Sequence, residues 1–157
     1  MPDNAREPLV LCTVGRLDFA VPARLVLEVQ DSPRLTRIPG VDPAVLGLAQ
    51  VRGALAVVVD VGRLLGLEAR SGAKRTELVV LGLPAGRVAL AVDQASDVLV
   101  LAADQFSDPA PGRMRPAIVG EGSCEGRTFM VLDVPALLSP LLAAETGGRQ
   151  ASAWGET

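Results

Sequence analysis

Gly47-Leu48-Ala49-Gln50-Val51-Arg52-Gly53-Ala54-Leu55-Ala56-Val57-Val58-Val59-Asp60-Val61 is the stretch that decides how this chain folds. Two apolar runs, each of strand length, flank an Arg-Gly pair. Gly53 permits a tight turn or a bulge between them, which joins the runs as a hairpin and pushes the Arg52 guanidinium outward. A planar cation held there is a ready recognition element. The competing reading is an ordinary solvated arginine beside a structural glycine, and the local fold is the same in both.

The second run recurs downstream. Residues 57–66 and 130–139 align at an offset of 73 with five identities in ten positions, and Leu17-Asp18-Phe19-Ala20-Val21 aligns with Val88-Ala89-Leu90-Ala91-Val92 at an offset of 71. Two halves of one plan follow. Each half has about 70 residues and is too small to be stable by itself, which predicts two β-barrels sharing an apolar contact. The polar connection Glu68–Arg75 is the expected seam. Further strands are expected at Leu9–Val14, Leu17–Val21, Leu35–Ile38, Leu55–Val61, Thr76–Leu81, Arg87–Val92, Asp97–Leu101, Ala117–Val119 and Arg127–Leu132. Helical candidates are brief: Pro43–Leu46, Gly62–Leu65, and Val134–Leu142, which opens on Asp133 as N-cap and is interrupted by Pro140. The reading is all-β, with short helical turns and a short C-terminal helix.

Composition excludes whole classes of function. Across 157 residues there is no histidine, so no mechanism can use imidazole as base, metal ligand or phosphate carrier. Phe19, Phe106, Phe129 and Trp154 are the only aromatics, too few for a platform of stacked bases, and a net charge of −3 argues against nucleic-acid binding. No apolar stretch is long enough to span a bilayer, so no direct membrane insertion is expected. The acidic, polar first residues do not resemble a secretory signal, and a cytoplasmic location is expected. Cys12 and Cys124 make neither a disulfide framework nor a metal site; no metal or cofactor is expected.

Three motifs invite chemistry and lack its partners. Gly122-Ser123-Cys124-Glu125-Gly126 has the shape of a nucleophile elbow, which raises a cysteine hydrolase as an alternative. Without histidine the thiol has no base there, and a hairpin turn is the better reading. Asp60 follows an apolar strand as a phospho-accepting aspartate would, but the acidic pair and late lysine of such a site are missing. Lys74, the sole lysine, has no glycine-rich phosphate loop around it. No catalytic residue is expected.

From about Leu9 to Leu142 the chain resembles the CheW-like domain, the adaptor of bacterial chemosensory arrays. The family pattern Gly-x-x-Asn-x-Arg-Gly-x-x-x-Pro-Val-x-Asp-Leu finds Gly47, Arg52, Gly53, Val58 and Asp60 in register. Phe19 to Val21 with Val26 and Glu28-Val29, Ile38-Pro39, Val92-Asp93 with Val98, and Leu132-Asp133-Val134 with Leu137-Leu138 match flanking family elements in order.

The resemblance implies two SH3-like five-stranded β-barrels packed together as a single domain over residues 9–142. One subdomain would take 16–70 and the other 9–15 plus 76–142, with 1–8 and 145–157 as flexible tails. It implies a non-enzymatic scaffold that couples the cytoplasmic tips of methyl-accepting chemoreceptors to the regulatory domain of a CheA-type histidine kinase, recruited to receptor arrays. The alternative within the same class is an accessory protein that binds only one of the two. Carried over by position, Arg52 and Gly53 lie at the partner contact, with Glu28 and Gly47 beside them. Val98 would line a groove for receptor helices. Val57 stands where the family has Pro, Gln50 where it has Asn, and Ala95 where it has Val. Val57 restores a backbone N–H, which changes the pairing expected at a strand edge where a partner would dock. Trp154 is either a docking residue or an unimportant part of the tail.

Overall fold

Short runs rich in Val, Leu and Ala, punctuated by Gly, Pro and Asp, form the strands of this protein. The computed structural model describes residues 7–31, 34–66, 77–109 and 117–146, with side chains to 141. The strands are β1 (Leu9–Val14), β2 (Leu17–Pro22), β3 (Val26–Asp31), β4 (Val45–Val51), β5 (Ala54–Asp60), β6 (Glu77–Leu83), β7 (Gly86–Val92), β8 (Gln94–Leu99), β9 (Phe106–Ser107), β10 (Ile118–Cys124) and β11 (Arg127–Leu132). Helix α1 (Val61–Leu64) follows β5, and helix α2 (Val134–Thr146) follows β11.

Two sheets result, one ordered β8-β1-β2-β11-β10-β9 and the other β3-β6-β7-β5-β4. The internal repeat is written into their registers. Val10 pairs with Val98 as Val79 pairs with Val29, so β1 and β3 have counterparts 69 residues on, in β6 and β8. Val51 faces Ala54 as Cys124 faces Arg127, an offset of 73. Phe19 lies beside Met130 and Val88 beside Val57, which makes Val88 the counterpart of Phe19. The offset of 71 expected for that strand is therefore 69. A slip of two keeps every side chain on its own face, so the alternation could not reveal it.

Strand membership departs from the expected subdomain boundaries. The first hairpin of each repeat crosses into the sheet completed by the other: β1 and β2 join β8–β11, and β6 and β7 join β3–β5. Burial explains the crossing. Leu9, Leu11 and Ala20 fill the core of the six-stranded sheet with Leu101, Phe106, Phe129 and Val131. Leu78, Val80, Ala89 and Ala91 fill that of the five-stranded sheet with Ala49, Val51, Ala56 and Val58. The alternate residues Val10, Cys12, Phe19, Val21, Val79, Leu81, Leu90 and Val92 meet in a third core shared by both sheets. These four central strands are buried on both faces and must be apolar throughout.

Several local expectations are corrected. Leu35–Ile38 is not a strand; it contributes one bridge, Thr36 to Leu48. Pro43–Leu46 is not helical, because the Asp42 carboxylate accepts the Ala44 N–H and the Asp42 carbonyl accepts that of Val45, a turn that feeds β4. The strand expected at Asp97–Leu101 starts earlier, at Gln94, and the two-residue β9 gives one sheet six strands rather than five. Helix α2 runs through Pro140. Proline cannot donate to the carbonyl of Ala136, and the Ser139 hydroxyl does so instead at 2.9 Å. Residues 7 and 8 are tied down, since Glu7 pairs with Arg24 at 2.7 Å and the Pro8 carbonyl accepts the Ala23 N–H. The Glu68–Arg75 seam and Trp154 lie outside the described residues.

Candidate docking site at the β4–β5 hairpin

Arg52 and Gly53 are the two central residues of the turn between β4 and β5, with φ of 50° and 80°. Val51 and Ala54 pair directly across them. A two-residue hairpin of this hand needs positive φ at both central positions, so Arg52 occupies a conformation that a non-glycine residue adopts at a cost. A Cβ added at Gly53 would meet nothing within 4 Å, so the demand there is purely conformational. The turn aims the Arg52 side chain into solvent, 74% exposed, where its Nε lies 3.0 Å from Oε2 of Glu28.

Glu28 sits on β3, the strand at the far edge of the same sheet. The ion pair therefore links the two sides of the sheet, and two residues that the sequence could only place in one region are in contact. Around them the sheet exposes apolar side chains: Leu27 and Val29 flank Glu28 on β3, and Leu55 follows the turn. Sequence reasoning passed over these three. Their signal was the alternation Leu27-Glu28-Val29, which sets leucine and valine on the outward side of an edge strand.

The other expected site residues stand apart from this pair. Gly47 has φ of 150°, and a Cβ there would fall 2.6 Å from the backbone oxygen of Thr36, so it supports the crossing segment rather than the tip. Val57 is not at an edge. It lies in β5 between Leu48 of β4 and Val88 of β7, paired on both sides. Val98 belongs to the other sheet, on edge strand β8, where it and Val100 are exposed.

Nothing in the described residues supports the alternative chemistry. Cys124 ends β10 opposite Arg127, with Glu125 and Gly126 at φ of 53° and 81°, so the elbow-like motif is a hairpin turn. Asp60 caps α1, its Oδ1 accepting the Gly62 N–H at 2.9 Å and that of Arg63 at 3.4 Å. Burial, with the charge of Glu77 adding, pushes the Cys12 thiol up to about 12. Among the described residues no group of three acids or cysteines could hold a metal ion, and no helix is long and apolar enough to cross a membrane.

Comparison with known proteins gives one answer. The family model described as CheW-like domain matches residues 8–141. Chemotaxis protein CheW of Bacillus subtilis is 23% identical over 135 residues, 84% of this chain and 86% of that protein. Protein PilI of Pseudomonas aeruginosa is 33% identical over 98 residues, 62% of this chain and 55% of its own length. The crystal structure of scaffolding protein TtCheW from Thermoanaerobacter tengcongensis superposes with a TM-score of 0.74 at 17% identity, covering 85% of this chain and 88% of that one. The likeness extends to the two SH3-like subdomains of that fold.

Proposed function

This chain belongs to the CheW-like domain family, and from that premise we propose that it couples the cytoplasmic tip of a chemoreceptor to the regulatory domain of a CheA-type histidine kinase. It is a chemotaxis scaffold of a non-enzymatic family, so its work is done by surfaces. The observation that carries the coupling reading is the Arg52 tip. With Nε held by Glu28, the two Nη groups of the guanidinium face solvent as a planar fork. Such a fork takes a carboxylate or backbone carbonyls in bidentate fashion, which a lysine cannot reproduce. Leu27, Val29 and Leu55 supply the apolar area that a charged anchor needs around it. We place the chain in the cytoplasm, at receptor arrays.

The test is capture of a receptor-tip fragment and a kinase regulatory domain from the same organism by the purified chain, each alone and then together. Capture of both, with a ternary complex, supports coupling. Capture of one supports the accessory role, and capture of neither removes both readings.

A further inference from the structure

A second guanidinium reaches the β4–β5 tip. Arg87 on β7 lies beside Ala56 in the parallel pairing of β5 and β7. Its Nη1 donates to the carbonyl oxygen of Val51 at 3.1 Å, the residue immediately before Arg52. A charged donor on a carbonyl makes one of the stronger hydrogen bonds available to a turn.

The other repeat provides an internal control. Glu125 and Gly126 adopt nearly the same backbone as Arg52 and Gly53, at positions 73 residues on. There the counterpart of Arg87, 69 residues earlier, is Asp18, and it is turned away to Arg127 at 3.1 Å and to the Thr13 hydroxyl at 2.9 Å. Among the described residues no side chain donates to the Cys124 carbonyl, the counterpart of that of Val51. The same turn thus forms without a brace, so the fold has no need of one at Arg52.

We propose that Arg87 is a positioning residue for Arg52. Through the Val51 carbonyl it holds the strained Arg52-Gly53 turn in the orientation that presents the guanidinium to an acidic group on the partner. Because Glu28 balances the charge of Arg52, Arg87 also gives the tip its net positive charge. The proposal rests on the coupling reading.

Arg87→Met keeps the side-chain stem and removes the donor. The expected result is an unchanged melting temperature, faster amide exchange confined to residues 51–54, and an affinity about fivefold lower for whichever receptor or kinase fragment the wild-type chain captures. Added to Arg52→Ala, Arg87→Met should cause no further loss of affinity. An unchanged exchange rate at the turn overturns the proposal, as does an equal loss of affinity with and without Arg52, which would make Arg87 an independent contact. If the wild-type chain captures neither fragment the coupling reading falls, and the exchange rates still decide whether Arg87 holds the turn.

Discussion

Arg52 Nε lies 3.0 Å from Glu28 Oε2 although the two residues come from opposite sides of one sheet, Glu28 from β3 and Arg52 from the tip of β4. The pair is exposed on the arginine side, so its worth to stability is small, about 0.2–1 kcal/mol. Its worth is in orientation. Arg52→Asp sets a second carboxylate against Glu28 and reverses the charge of the tip. Urea unfolding should shift by about 1 kcal/mol or less, while partner affinity drops about tenfold or more. Wild-type affinity in the folded variant would remove Arg52 from the docking surface.

Two glycines in one hairpin fail for different reasons. Gly53 has open space around its missing Cβ and φ of 80°, so Gly53→Val should cost about 1–3 kcal/mol while Gly53→Asn, which tolerates left-handed backbone, costs less. At Gly47 the Thr36 oxygen is 2.6 Å from any added Cβ, and no side chain fits without displacing backbone. Gly47→Ala should therefore destabilise more than Gly53→Asn in urea unfolding.

Gly122 faces Phe129 across β10 and β11, while the equivalent positions of the other repeat, Ala49 and Ala56, also face each other. One sheet fills its core with a ring over a glycine and the other with two alanines. A Cβ at Gly122 would lie 2.6 Å from Phe129 Cε1 and 2.7 Å from Leu101 Cδ1. Gly122→Ala should cost about 1–3 kcal/mol by overpacking and Phe129→Ala about 3–5 kcal/mol by cavity formation. Because each change relieves part of the other, the double variant should cost less than the sum. Additive losses in calorimetry would show that the two positions do not compete for one volume.

The buried Cys12 thiol titrates at about 12 in the folded chain against 9.0 for the ordinary group, pushed up by burial and by Glu77. A raised folded-state value means that the stabilisation is complete below pH 9 and is lost as pH rises from 9 towards 12. The chain has no tyrosine and one lysine, so little else titrates in that window. Unfolding free energy should fall there by up to about 1.4 kcal/mol per pH unit, and Cys12→Ala, though less stable at pH 7, should flatten the slope. An unchanged slope in that variant would assign the alkaline loss to another group.

The hairpin at Arg52-Gly53 was legible because its causes are local: a glycine where φ must be positive, flanked by runs of strand length. The repeat was legible for the same reason, and so was the family. Glu28 and Arg52 could be assigned to one region by resemblance alone, since no spacing rule relates a residue on β3 to a turn 24 positions later. Val57 was misjudged as an edge residue because neighbours across a sheet are set by long-range pairing. Arg87 carried no signal at all, as its partner is a backbone carbonyl on another strand.

What the sequence determined by itself is therefore the set of strands, their turns and the twofold plan, each fixed by residues within a few positions of one another. The tertiary structure decided which hairpin completes which sheet. In β1, β2, β6 and β7 both faces are apolar, so alternation has no preferred side to report, and only the packing of three cores at once selects the crossed arrangement.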